Sequence, residues 1–298
     1  MIEISNGLIP VISTITIIAF FMLLIGAIDK YMRQESISSY KESLRNFRVV
    51  RIFKINFLNT SLFSLILSLI RFNIIFYLVI KTVGNMLFGS DVFLFNLNYV
   101  ISYIIVCEFL FFLKTKKKNE INELSSLTGV IVFVLATICL QKLSTNLIIE
   151  RKVFWLGSNN YFADWTALEF PVIVIPMFYI LASLYTRVVK SSVALRYNSV
   201  DRLFDFLSNN LLYIYMTCFF LRALFGGVTD IKVTSLSEYI YLNSIVSVFL
   251  KFSLITLMTR LLIRFLPSIV DLRRKSLTAL IILLIINITI VQFIRGGL

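Results

Sequence analysis

The stretch LIPVISTITIIAFFMLLIGAI, Leu8–Ile28, decides the fold. It carries no charged residue from end to end. An apolar run of about 20 residues is what an α-helix needs to cross the hydrocarbon core of a bilayer. The run lacks the period-2 alternation and the polar lumen face of a barrel strand, so a sheet reading fails. A cleaved signal peptide is not expected. Glu3 precedes the run where a basic segment belongs, and Asp29 and Lys30 follow it without a small-residue cleavage site.

Seven more runs of the same kind follow, at approximately Ile55–Ile80, Val92–Leu113, Leu127–Leu147, Phe170–Tyr185, Leu211–Phe225, Tyr239–Ile263 and Leu277–Ile294. The expected fold is therefore an all-α polytopic membrane protein: a single membrane domain over residues 1–298 with about eight transmembrane helices. Composition agrees. Of the 298 residues, 58% are hydrophobic and 15% charged, and the mean hydropathy is +0.89. An ordinary soluble domain is nearer half apolar and a quarter charged.

Composition also excludes chemistry. The chain has no histidine, which removes imidazole catalysis and the usual zinc and haem sites. Its three cysteines, Cys107, Cys139 and Cys218, lie inside apolar runs without CxxC spacing and read as small core residues. No glycine-rich nucleotide cradle is present. Serine without histidine would need a lysine partner, and none sits near, so no catalytic residue is assigned and no metal site is expected. The net charge of +13 does not call for nucleic acid; in a membrane protein it records basic residues held on one side.

That sidedness is legible. Loop one, between the first two spans, carries seven lysines and arginines, and loops three, five and seven carry four each. The even loops and their margins hold only Lys81, Lys142, Arg151, Lys152 and Lys232. With eight spans all odd loops share one side, and the positive-inside rule puts them in the cytoplasm or matrix. Both termini then face the outer side, periplasm or intermembrane space. Loop one has a second feature. Lys41, Arg45, Arg48 and Arg51 recur at helical spacing with Phe47, Val50 and Phe53 between them. Either an amphipathic helix lies in the interface there, or a solvated basic loop fixes topology.

Charges inside spans are costly and are functional candidates by default. Here they are Arg71, Glu108, Arg222, Lys251 and Arg260. They read either as an ion or proton path, or as side chains that snorkel or pair with a neighbouring subunit; the second reading implies a chain that is not stable alone in lipid. Loop five is the most polar cluster, with Arg187, Lys190, Arg196, Asp201, Arg202 and Asp205. Asp201 and Asp205 are spaced i, i+4 and would share a helix face. Two carboxylates so close either share a proton or are neutralised by Arg202 and Arg196.

The stretch FLKFSLITLMTRLLIRFLPSIVDLRRKSLTALIILLIINITI, Phe249–Ile290, resembles the end of subunit 1 of respiratory complex I, the proton-pumping NADH:ubiquinone oxidoreductase. In that family a lysine-bearing span ends in arginine, then proline, a basic residue and aspartate, and a last span carries asparagine. The matching positions are Lys251, Arg264, Pro267, Asp271 and Asn287, with Ser268 where the basic residue belongs. LFGG at Leu224–Gly227, ILASLYTR at Ile180–Arg187 and DKYMR at Asp29–Arg33 are similar to further family segments. The chain departs from the family's glutamates: Ser183 stands in Leu-Ala-Glu, and Val193 and Leu195 replace an acid-rich loop.

The resemblance implies eight spans and no covalently bound cofactor. It implies a quinone tunnel walled by the first, fifth and sixth spans and the odd loops, with ubiquinone as substrate. Acids there would couple quinone reduction to proton movement. The matched positions for the quinone site and coupling are Asp29, Lys30, Arg33, Arg187, Asp201, Arg202 and Asp205. The implied partners are the other membrane subunits, the hydrophilic arm and membrane lipid, in the mitochondrial inner membrane or a bacterial plasma membrane. A small transporter or lipid flippase and a non-catalytic scaffold are the rival readings. The transporter predicts an internal repeat or paired broken helices, which the sequence lacks.

Overall fold

A computed structural model describes residues 2–32, 62–88, 97–117, 135, 138, 171–194, 200–225, 240–265 and 281–290. Among the described residues the chain is all helical. The helices are α1 (Ile2–Met32), α2 (Leu62–Phe88), α3 (Leu97–Lys117), α4 (Pro171–Ala194), α5 (Val200–Leu224), α6 (Ile240–Phe265) and the stretch α7 (Ile281–Ile290). Each falls on an expected apolar run. For the run Leu127–Leu147 only Leu135 and Ile138 are described, both helical. The amphipathic segment of loop one lies outside the described residues.

Three stretches, Pro10–Asp29, Leu62–Gly84 and Ile245–Phe265, are long and apolar enough to cross a membrane; Val174–Val189 and Ile281–Ile290 are shorter apolar stretches. The exposed faces fit a lipid solvent. Phe20 and Leu23 on α1, Ile66 and Ile70 on α2, and Leu250, Leu254 and Met258 on α6 all stand exposed. Several recur at i, i+4, which makes one stripe per helix. Meanwhile Arg71, Glu108, Lys114 and Lys251 are buried. Apolar outside and charged inside is the reverse of a water-soluble fold.

α5 is the hub. It packs most extensively against α2, then α4, and also touches α1 and α6. Every residue from Leu211 to Leu221 is buried, as expected of a helix apolar on all sides and surrounded by others. α3 leans on α2, and α1 bridges α2 and α6. Aromatic rings lock these contacts: Phe21 of α1 stacks on Phe252 of α6 at 4.2 Å, and Tyr185 of α4 meets Tyr213 of α5 edge-on at 5.5 Å. Offset and edge-on pairs of this kind add about 0.5–1.5 kcal/mol beyond their buried area.

The helix ends differ from the sequence expectation in one direction. α4 runs on to Ala194 beyond Tyr185, α3 to Lys117 beyond Leu113, and α5 begins at Val200 and not at Leu211. Arg187, Asp201, Arg202 and Asp205 are therefore helical residues, not loop residues. A hydropathy reading stops a span at its first charges. Here those charges neutralise one another across the bundle, so the helices continue through them. Asp201 sits in the first turn of α5, where the unpaired amides favour a carboxylate.

Candidate functional site

Four helices bring their polar residues to one seam. α2 contributes Ser64, Ser68 and Arg71, and α5 contributes Asp201, Asp205 and Asn209. Both sets follow helical spacing and keep to one face. α3 supplies Lys114, Phe111 and Glu108 in the opposite direction, and α4 supplies Arg187. From Ser64 to Arg71 the seam runs about 10 Å along α2 at 1.5 Å per residue.

At one end Lys114 gathers oxygens. Its Nζ donates to Asp205 Oδ2, to Ser68 Oγ at 2.6 Å and to the Asp201 carbonyl at 3.3 Å, and it lies 3.4 Å from Asp201 Oδ2. Ser64 Oγ donates to Asp201 Oδ2 at 2.9 Å. Ser68 Oγ lies 3.3 Å from Asp205 Oδ1 and 2.8 Å from the Ser64 carbonyl. The i, i+4 aspartates do share a face, and one ammonium serves both. Lys114 neutralises the pair; Arg196 lies outside the described residues.

At the other end two guanidiniums meet one carboxylate. Arg187 Nη1 donates to Glu108 Oε2 at 3.0 Å, and Arg71 Nη2 lies 3.7 Å from Glu108 Oε1. Arg71 Nη2 also donates to Asn209 Oδ1 at 3.0 Å. Both guanidiniums lie near the Phe111 ring, at 4.4 Å for Arg71 and 5.0 Å for Arg187. Desolvated cation–π contacts are worth about 2 kcal/mol. The whole seam thus holds three cations, Arg71, Lys114 and Arg187, and three carboxylates, Glu108, Asp201 and Asp205. Buried charge is tolerable where each ion has an opposite partner and fixed hydrogen bonds, a condition that Lys114 meets and Arg71 meets only in part.

The remaining predicted residues lie elsewhere. Asp29, near the end of α1, holds Arg260 of α6 at 3.2 Å, and the Arg260 guanidinium lies 5.9 Å from the Tyr185 ring. Lys251 donates to the Phe225 carbonyl at 2.9 Å. It lines an apolar cavity of about 400 Å³ with Phe178, Leu221, Phe225, Leu254 and Met258. Arg264 is exposed at the last turn of α6. Arg33, Pro267 and Asp271 lie outside the described residues, as do the side chains of Lys30 and Arg222. Arg71, Glu108 and Arg260 each have an oppositely charged side chain beside them within the chain, and Lys251 donates to a backbone carbonyl. Among the described residues no cluster of three or more metal-ligating side chains converges.

Sequence reasoning missed Lys114, Ser64, Ser68 and Asn209. Lys114 opens the run KTKKK, Lys114–Lys118, and passes for a topology signal. The hydroxyls lie three and seven residues before Arg71, and Asn209 lies four after Asp205, so all continue a helical period, which is the one signal that points to them. No family model, curated protein or solved structure matches this chain.

Proposed function

We propose that this chain is a membrane subunit of an NADH:ubiquinone oxidoreductase, the counterpart of subunit 1 of respiratory complex I. In this reading it walls the quinone tunnel and couples quinone reduction to proton movement. The observation that carries it is the seam of three buried cations and three carboxylates. A protein that only scaffolds gains little from such ions, since a buried pair costs as much desolvation as it returns and apolar residues would pack as well. Ionisable side chains within hydrogen-bond reach of one another are what proton transfer needs.

In the eight-span topology the Ser64–Asp201 end of the seam faces the basic, inner side. There the hydrophilic arm delivers electrons. The seam then leads from that surface into the helices. Quinone reduction takes up protons, and a carboxylate pair held by a single ammonium responds to a nearby change of charge. The apolar cavity beside Lys251 offers room of the kind an isoprenoid tail requires, facing lipid through Leu254 and Met258. The enzyme's location is then the mitochondrial inner membrane or a bacterial plasma membrane.

Purification from native membranes tests this. The expected result is co-purification with flavin- and iron–sulfur-bearing subunits and with NADH:quinone reductase activity. Isolation as a lone chain, with that activity in other fractions, overturns it.

A further inference from the structure

The seam's two ends differ in how well their cations are served. Lys114 has two carboxylates, a hydroxyl and a carbonyl. Arg71 has much less. The nearest carboxylate, Glu108, accepts from Arg187 through Oε2 at 3.0 Å, while its Oε1, itself without a hydrogen-bond partner, lies 3.7 Å from Arg71 Nη2, beyond hydrogen-bond range. The hydrogen bond Arg71 does make, to Asn209 Oδ1, is to a neutral amide. Its Nε and Nη1 are buried without a hydrogen-bond partner, although the residue is only 1% exposed. An unmet donor on a buried charged group is costly, more so than on a neutral one. Phe111 covers one side of the guanidinium but accepts no conventional hydrogen bond.

We propose that Arg71 marks a binding site for one small monovalent anion of the chloride class, held against its Nε and Nη1 between α2, α3 and α5. Two guanidiniums around one carboxylate set a positive potential at this point. A monovalent ion suits it, because Glu108 already offsets part of the charge. A bulky or doubly charged oxyanion does not suit a position so fully enclosed by helices. Water, which offers only a neutral acceptor, is the competing occupant. The site does not depend on the respiratory reading: it rests on the surroundings of Arg71 alone.

The test is chloride-dependent thermal unfolding of the purified full chain in mild detergent, with gluconate replacing chloride at constant ionic strength. The expected result is a saturable rise in the unfolding midpoint specific to chloride, roughly 5 °C once chloride far exceeds half-saturation. Arg71→Met abolishes the rise. Glu108→Gln removes the competing carboxylate and half-saturates at lower chloride, even though that chain starts less stable. Equal midpoints in chloride and gluconate overturn the proposal and leave water as the occupant. An Arg71→Met chain that responds like the wild type also overturns it. Should Arg71→Met not fold, Glu108→Gln decides, and an unchanged half-saturating concentration counts against the site.

Discussion

Glu108 of α3 and Arg187 of α4, 79 residues apart in the chain, meet at 3.0 Å inside the helix bundle. The two helices otherwise approach each other little. Each leans on a different neighbour, α3 on α2 and α4 on α5, so this ion pair ties the two halves of the seam together.

Arg187→Met leaves Glu108 with Arg71 alone. Breaking a buried pair by removing one partner costs about 3–5 kcal/mol. The unfolding midpoint in detergent should fall accordingly. Arg187→Met combined with Glu108→Leu should recover part of the loss, since neither Arg187 nor Glu108 is then left stranded, while Arg71 loses its one carboxylate. A double variant as unstable as the sum of the two single variants contradicts this.

Lys114→Met leaves Asp201 and Asp205 facing each other without their ammonium. It should destabilise the chain by about 3 kcal/mol or more. Adding Asp205→Asn should restore part of that, because one carboxylate then remains with the Ser64 hydroxyl. A double-mutant cycle by chemical denaturation measures the coupling; coupling near zero means that Lys114 does not serve the two aspartates together.

On the proposed function, Asp201→Asn should lower quinone-dependent NADH oxidation by roughly tenfold, about 1.4 kcal/mol in the barrier. Oxidation with a soluble artificial acceptor, which bypasses the quinone site, should stay near the wild-type rate. Equal losses in both assays indicate failed assembly. Unchanged rates in both remove the aspartate pair from the mechanism.

Topology has its own check. Cysteines placed by Lys116→Cys and Asn159→Cys should react with an impermeant maleimide from opposite sides of sealed vesicles, because Lys116, in the last turn of α3, leads into an odd connection and Asn159 belongs to an even one. Labelling from the same side contradicts the eight-span arrangement.

The helices themselves were readable, since an apolar run of about 20 residues has few other stable forms in lipid. Their ends were not. Hydropathy treats Arg187, Asp201 and Asp205 as the start of water, whereas the structure carries α4 and α5 straight through them. A window average has no means of knowing that Lys114 and Glu108 are waiting on another helix. The candidate site was half legible for the same reason. Asp201 and Asp205 declared a shared face by their spacing, and Arg71 and Glu108 stood out as charges within apolar runs. That Glu108 would be shared between Arg71 and Arg187 was hidden, because pairing across helices leaves no trace in one sequence. Lys114 was masked by the lysines around it.

The seam is assembled from positions that repeat with the helical period on α2, α3 and α5. Its integrity is thus a matter of phase. One inserted or deleted residue between Ser64 and Arg71 would swing every later side chain on α2 by about 100°. Arg71 would then point toward lipid, and one of its apolar neighbours would face Glu108. The same holds for residues 201–209 of α5. These two segments can exchange one lipid-facing apolar residue for another with little consequence, yet neither can change length by a single residue. In this chain the count of residues between charges is a stronger constraint than the identity of most residues counted.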